Sequence, residues 1–237
     1  MNDKLIEKIK TRGYWRFNFQ PLTAEIRLDT MQKCKEVVEK NSVSLRGWDF
    51  PHIPRRNDEN SGMASAATFY EGWEDWVNHK EFWHIYKTGQ FLYYRGLRED
   101  WLDEDEWRSK VAEEIKPGSS LGVVGSVIYE ITEAFLFLSR LAKNGLYEEG
   151  VNVNITLNNT KDRELWIEDP LRASFMYPRK TSAENIFFEK KYTKEEIVNN
   201  YKDIANKLIL YIFDSFEFNP PPEQIEKDQE KLLTGRI

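Results

Sequence analysis

The chain has 237 residues, a formal charge of −6, and 40% apolar and 31% charged side chains. That length can bury a full hydrophobic core, and the composition is ordinary for a globular protein. An acidic chain without a basic tract is unsuited to non-specific duplex DNA binding, which requires many neutralised phosphates; a nucleotide or short oligonucleotide needs only two or three well-placed Arg.

Charge and aromatic content are unevenly distributed. Residues 1–60 carry twelve Lys/Arg against nine Asp/Glu, whereas residues 61–120 carry seven against twelve. Seven of the eight Trp lie between Trp15 and Trp107. Large flat side chains suit both a sheet core and an exposed stacking surface, and composition leaves both readings open.

In chain order, a charged segment with Leu5, Ile6 and Ile9 as an amphipathic stripe stands where a signal peptide would be. Trp15, Phe17 and Phe19 alternate with Tyr14, Arg16, Asn18 and Gln20, the period of a half-buried strand that Pro21 stops. A helix follows, with Asp29 as its cap, Gln32 at the third position, and Met31, Cys34, Val37 and Val38 on its buried face. Cys34 is the only cysteine, which excludes an intrachain disulfide and a Cys-based zinc site. Asn41 ends the helix, and Val43 to Trp48 reads as a second strand.

Residues 51–65 (PHIPRRNDENSGMAS) form a long polar loop, a common place for function. Three aromatic strands near 67–76, 81–87 and 90–96 form an antiparallel meander, the last two joined at Lys87-Thr88-Gly89-Gln90. The acidic segment Glu99–Glu106 leads into a short helix through Trp107 and Val111 to Ile115, which Pro117-Gly118 breaks. Val124, Val127, Ile131, Phe135, Leu138 and Leu141 then recur at three- and four-residue steps, a wide helical stripe that Asn144-Gly145 terminates. Ser126, Glu130, Thr132, Glu133 and Ser139 make the segment too polar for a membrane span.

Val151, Val153, Ile155 and Leu157 alternate with Asn152, Asn154, Thr156 and Asn158, and a turn at Asn159–Asp162 is expected to close a hairpin with Leu165–Ile167. Ala173–Tyr177 and Ile186–Lys191 read as strands. Thr193 and Glu196 form a capping box for a helix whose face carries Ile197, Tyr201, Ile204, Leu208, Ile212 and Phe216. Asn219-Pro220-Pro221-Pro222 ends it, before a charged helix or tail. The expected fold is α+β, mostly antiparallel sheets packed on long amphipathic helices: a single domain of two associated halves, 1–116 and 117–237.

Catalytic patterns are scarce. His79 and His84 sit five apart in a strand and point to opposite faces, and His52 lacks a second His at ligand spacing, so no metal or other cofactor is expected. No Gly-x-Ser-x-Gly elbow, P-loop or dinucleotide turn occurs. The sharpest enzymatic alternative is Mg²⁺-dependent nucleic-acid cleavage by Asp169 with Glu189 and Lys191 at a strand end, set against simple solvated charges.

A binding function rests on interleaved Arg and aromatic residues. Arg46, Trp48, Asp49 and His52 crowd one strand exit, Arg55 and Arg56 follow in the loop, and Tyr93 and Arg95 share a strand face with Trp101 nearby. Arginine stacks on rings and grips phosphate or carboxylate with a rigid fork. The competing reading is internal ion pairing, Arg46 with Asp49 or Arg98 with Asp100.

Gly13-Tyr14-Trp15-Arg16-Phe17, Val43-Ser44-Leu45-Arg46-Gly47-Trp48-Asp49-Phe50-Pro51-His52 and Phe91-Leu92-Tyr93-Tyr94-Arg95 with Glu99-Asp100-Trp101 resemble a module that follows AlbA-type, Schlafen-like DNA-binding domains in bacterial proteins. The resemblance covers roughly residues 13–101. The chain starts at the module, and the DNA-binding role belongs to the preceding domain, so the resemblance implies a prokaryotic accessory or sensing module. The expectation is a cytoplasmic, non-catalytic ligand-binding or sensor module for a nucleotide or other small anionic ligand, through Arg46, Trp48, Asp49, His52, Arg55, Arg56, Tyr93, Arg95 and Trp101. A protein-interaction scaffold with a partner protein on its exposed aromatics is the alternative; neither a membrane nor duplex DNA is an expected partner.

Overall fold

A computed structural model describes residues 3–104 and 115–235. The fold is α+β and centres on a seven-stranded antiparallel sheet of order β11-β9-β1-β7-β6-β5-β4. Its strands are β1 (Tyr14–Pro21), β4 (Ser61–Ser65), β5 (Phe69–Trp76), β6 (His79–Tyr86), β7 (Phe91–Gly96), β9 (Val151–Asn158) and β11 (Asn185–Tyr192). β1 pairs with β7 on one side and β9 on the other, so the sheet is continuous between strands from the beginning and the end of the chain.

Alternation along β1 decides which face is buried. Trp15, Phe17 and Phe19 are sealed, and their intervening neighbours are half-buried or exposed. Burying one such ring stabilises the fold by about 1.5–3 kcal/mol. Helix α3 (Glu130–Lys143) lies on this inner face and sets Phe137 against Phe91, ring centres 4.8 Å apart. Helices α4 (Lys194–Asp214) and α5 (Pro222–Leu233) pack behind it. On the opposite face, α1 (Asp3–Lys10) sets Leu5 and Ile9 against Phe82. A seven-residue π-helix, Val123–Tyr129, precedes α3. The expected capping box is present: Thr193 accepts from Glu196 N, and Glu196 reaches back to Thr193 N.

Several elements differ from expectation. The cap of α2 (Met31–Asn41) is Thr30, whose hydroxyl accepts from Lys33 N at 3.2 Å; the Asp29 carboxylate instead takes Lys33 Nζ. Val43 to Trp48 is no continuous strand. β2 (Val43–Ser44) turns back onto β3 (Asp49–Phe50) through Gly47, whose φ of +79° suits glycine's freedom from Cβ strain. The loop over 51–65 ends in β4. The expected hairpin after β9 is absent: β10 (Glu164–Trp166) pairs in parallel with β8 (Ser120–Gly122), leaving the β9 edge to β11. Ala173–Tyr177 carries no strand. The expected helix through Trp107 lies almost wholly outside the described residues.

Candidate ligand-binding site

The β2–β3 turn carries Arg46 over the first turn of α3, where Glu130 and Glu133, three residues apart, present carboxylates on one face. Arg46 donates through Nε and Nη2 to Glu133 Oε2 at 3.0 and 2.7 Å, through Nη2 to Glu130 Oε2 at 3.0 Å, and through Nη1 to Gly125 O at 3.1 Å. Ser126 O, also in the π-helix, likewise accepts from Trp15 Nε1 at 2.9 Å. Buried Tyr93 donates its hydroxyl to Glu130 Oε1 at 3.1 Å.

Arg95 stands directly opposite Glu81 across β7 and β6, and donates to Glu81 Oε2 at 3.0 Å and to His79 Nε2. Burial raises Glu81 to about 7 despite Arg95, and it raises Glu133 to about 7 despite Arg46. Arg46 is itself disfavoured by burial, but the Glu133 and Glu130 carboxylates more than offset this and hold it above the usual guanidinium range. His79 is pushed well below its ordinary value by burial and Arg95, and His52 falls to about 4 by burial and nearby arginines. Both imidazoles are therefore neutral at pH 7, so neither forms a charged pair with the carboxylate beside it.

Trp48 packs on His79 and His52, with ring centres 3.9 and 4.2 Å away, and lies parallel to Trp76 at 5.9 Å. Trp76 is 51% exposed. Trp48, Trp76 and His79, together with Asn78, Arg98 and Glu133, line a cavity of about 270 Å³. Val77, a β-branched residue at φ +43°, occupies the β5–β6 turn between Trp76 and Asn78.

A larger cleft of about 800 Å³ adjoins it, sharing Arg46, Arg95, Arg98 and Glu130 as walls. Small-molecule sites span roughly 300–1,000 Å³. Trp15, Leu97, Leu102 and Val124 supply apolar surface; Tyr129, Trp166 and the segment 168–172 complete the walls. Glu168 ties that segment down by accepting from Val124 N and Gly125 N at 2.9 and 2.8 Å. Arg172 clamps its other end to α5, with a two-pronged contact to Asp228 and a 3.1 Å bond to Asp169. A Cβ on Gly122 would collide with both the Glu168 and Glu99 carboxylates, so glycine permits their approach.

The cations lining this cleft are mostly engaged: Arg46 with Glu130 and Glu133, Arg95 with Glu81, Arg172 with Asp228, and Lys231 with Asp228 at 4.0 Å. Arg98, exposed at the junction of the two cavities, has no ion pair or hydrogen bond among the described residues. Its anticipated partner Asp100 is held by Arg163 instead, and Arg46 pairs with helix carboxylates, not with Asp49.

Of the residues expected to bind, Arg46, Trp48, Asp49, Tyr93 and Arg95 line the smaller cavity. His52, Arg55, Arg56 and Trp101 line neither. His52 stacks under Trp48 and accepts from Trp83 Nε1 through its carbonyl. Arg56 faces Asp58 and Glu74, Arg55 is exposed, and buried Trp101 lies beneath Arg12 at 4.2 Å. Sequence reasoning missed Trp76, Arg172 and the roles of Arg98, Glu130 and Glu133. Two carboxylates interrupting a wide apolar helix stripe were the available signal, because buried Glu is rare unless paired.

Asp169 and Glu189 are not brought together. Asp169 faces the cleft, whereas Glu189 lies exposed on edge strand β11, accepting from Asn152 Nδ2 at 2.7 Å. Among the described residues no group of three His, Cys, Asp or Glu is placed to hold a metal ion, and no helix is long and apolar enough to cross a membrane. No protein-family model, curated protein or solved structure matches the chain.

Proposed function

We propose that this chain is a non-catalytic ligand-binding or sensor module whose receptor is the paired cavity around Arg46, Arg95 and Arg98, and whose ligand is a small anion. Arg98 carries the argument. It is the arginine on these walls without a carboxylate among the described residues, and it stands where both cavities meet. A bound phosphate or carboxylate would gain a charge-assisted contact there without breaking an existing pair. The resemblance of residues 13–101 to a bacterial accessory module supports a sensing role, and with it a prokaryotic cytoplasmic setting. Thermal-shift measurements on the wild-type chain and Arg98→Gln, against inorganic phosphate, pyrophosphate, nucleotides, cyclic dinucleotides and short oligonucleotides, test the reading. Stabilisation of the wild type that is lost in the variant is expected; a flat response across the panel would remove the proposal.

A scaffold function is supported by a different observation. Leu171, Met176 and Tyr177 are 94%, 86% and 70% exposed on one segment, an apolar surface that a protein partner could cover. Light scattering on the purified chain separates the two: a stable oligomer or a stoichiometric copurifying protein favours the scaffold.

A further inference from the structure

We infer that the anion is a nucleotide, its base in the smaller cavity against Trp76 and its phosphate at Arg98 in the larger cleft; this rests on the anion-binding reading above. Three features of the smaller cavity carry it.

The first is a half-exposed indole. Trp76 is 51% exposed and lies within 3° of parallel to Trp48, which is held from behind by His79 and His52. A rigid, partly open ring of this kind is a platform for another flat ring.

The second is an unmatched donor and an unmatched acceptor. Trp48 Nε1 and Glu133 Oε1 are buried without hydrogen-bond partners, and both residues line this cavity. The Glu133 side chain is 2% exposed, with its other oxygen engaged by Arg46. Buried polar groups are nearly always paired, because leaving one unpaired costs its full desolvation. A nucleobase edge carries both ring acceptors and N–H donors, the chemistry needed to answer an unmatched donor and an unmatched acceptor. A simple phosphosugar has no planar edge to offer.

The third is continuity. Arg46, Arg95, Arg98 and Glu130 border both cavities, so one molecule can place a ring in one and an anionic group in the other. Arg98 is the contact that any phosphate-bearing ligand shares; Trp76 lines only the base cavity.

Isothermal titration of the full chain with AMP, GMP, CMP, UMP, ribose 5-phosphate and inorganic phosphate tests the inference. At least one nucleotide is expected to bind about tenfold or more tighter than ribose 5-phosphate, a 1.4 kcal/mol difference, and to quench Trp fluorescence. Trp76→Ala should collapse that ratio toward one, with Trp76→Phe restoring part of it, and Arg98→Gln should weaken nucleotide and phosphosugar alike. Equal affinity for nucleotides and ribose 5-phosphate would overturn the nucleotide assignment and leave the anion reading standing. Absence of binding by every phosphate would overturn both.

Discussion

The Arg163 guanidinium lies fork-to-fork on the Asp100 carboxylate, Nη1 to Oδ1 at 2.7 Å, with the two side chains 2% and 0% exposed. Asp100 also accepts from Gly13 N at 2.6 Å and Gly118 N at 2.8 Å, so one carboxylate ties together the start of β1, the segment after β7 and the approach to β8. Asp100→Ala should cost about 3–5 kcal/mol, because the partner charge is left buried and uncompensated. Urea denaturation followed by circular dichroism measures this; a loss under about 1 kcal/mol would show that the lock is dispensable.

Arg46 and Arg98 border the same cavities but should differ sharply on mutation. Arg46→Met leaves Glu130 and Glu133 buried against one another and should destabilise by about 3–5 kcal/mol. Arg98→Gln breaks no contact among the described residues and should shift stability by less than about 0.5 kcal/mol. Parallel denaturation curves compare the two.

The buried titratable groups have opposing pH signatures. Glu133 rises from 4.5 unfolded to about 7 folded, so the native state holds its proton longer. The stability from that proton is full below pH 4.5 and is lost as pH rises through 7. His52 moves the other way, from 6.5 to about 4, and its contribution is present above pH 6.5 and lost as pH falls through 4. Glu133→Gln should therefore gain stability relative to wild type as pH rises from 5 to 8. His52→Asn should gain relative to wild type as pH falls from 7 to 4. Denaturation midpoints across this range read both slopes, and a reversed sign in either would refute the assignment.

At the start of α2, Thr30→Ala should cost about 1 kcal/mol through loss of the bond to Lys33 N, whereas Asp29→Ala removes only an exposed ion pair worth less than that. Thermal melting of the two variants ranks them, and equal losses would argue against Thr30 as the cap.

Val77 sits at φ +43°, a left-handed conformation in which its branched Cβ is strained. Val77→Asn or Val77→Gly should stabilise the chain by about 1 kcal/mol, seen as a raised melting temperature. Unchanged or lowered melting would show that Val77 contributes packing that outweighs the strain.

Much of the fold was legible because its signals are local. The alternation of Trp15, Phe17 and Phe19 located β1, Gly89 and Gly145 marked turns that do adopt positive φ, and Thr193 with Glu196 marked the start of α4. The site was legible only in part. Arg46, Trp48, Tyr93 and Arg95 were picked out as chemically capable residues and do meet at one cavity. Their partners were not readable: Arg46 finds Glu133 87 residues along the chain, and Trp48 meets Trp76 through a turn that sequence read as extended strand.

Periodicity and capping chemistry within about ten residues determined which segments are strand or helix and which side of each turns inward, since those choices depend on backbone sterics and solvent. Only the tertiary structure decided that β9 pairs with β11 and not with β10, that Asp100 belongs to Arg163, and that Arg98 has no partner among the described residues. Pairing is a competition among all edges and charges of the folded chain, and its outcome depends on distances that no local pattern encodes.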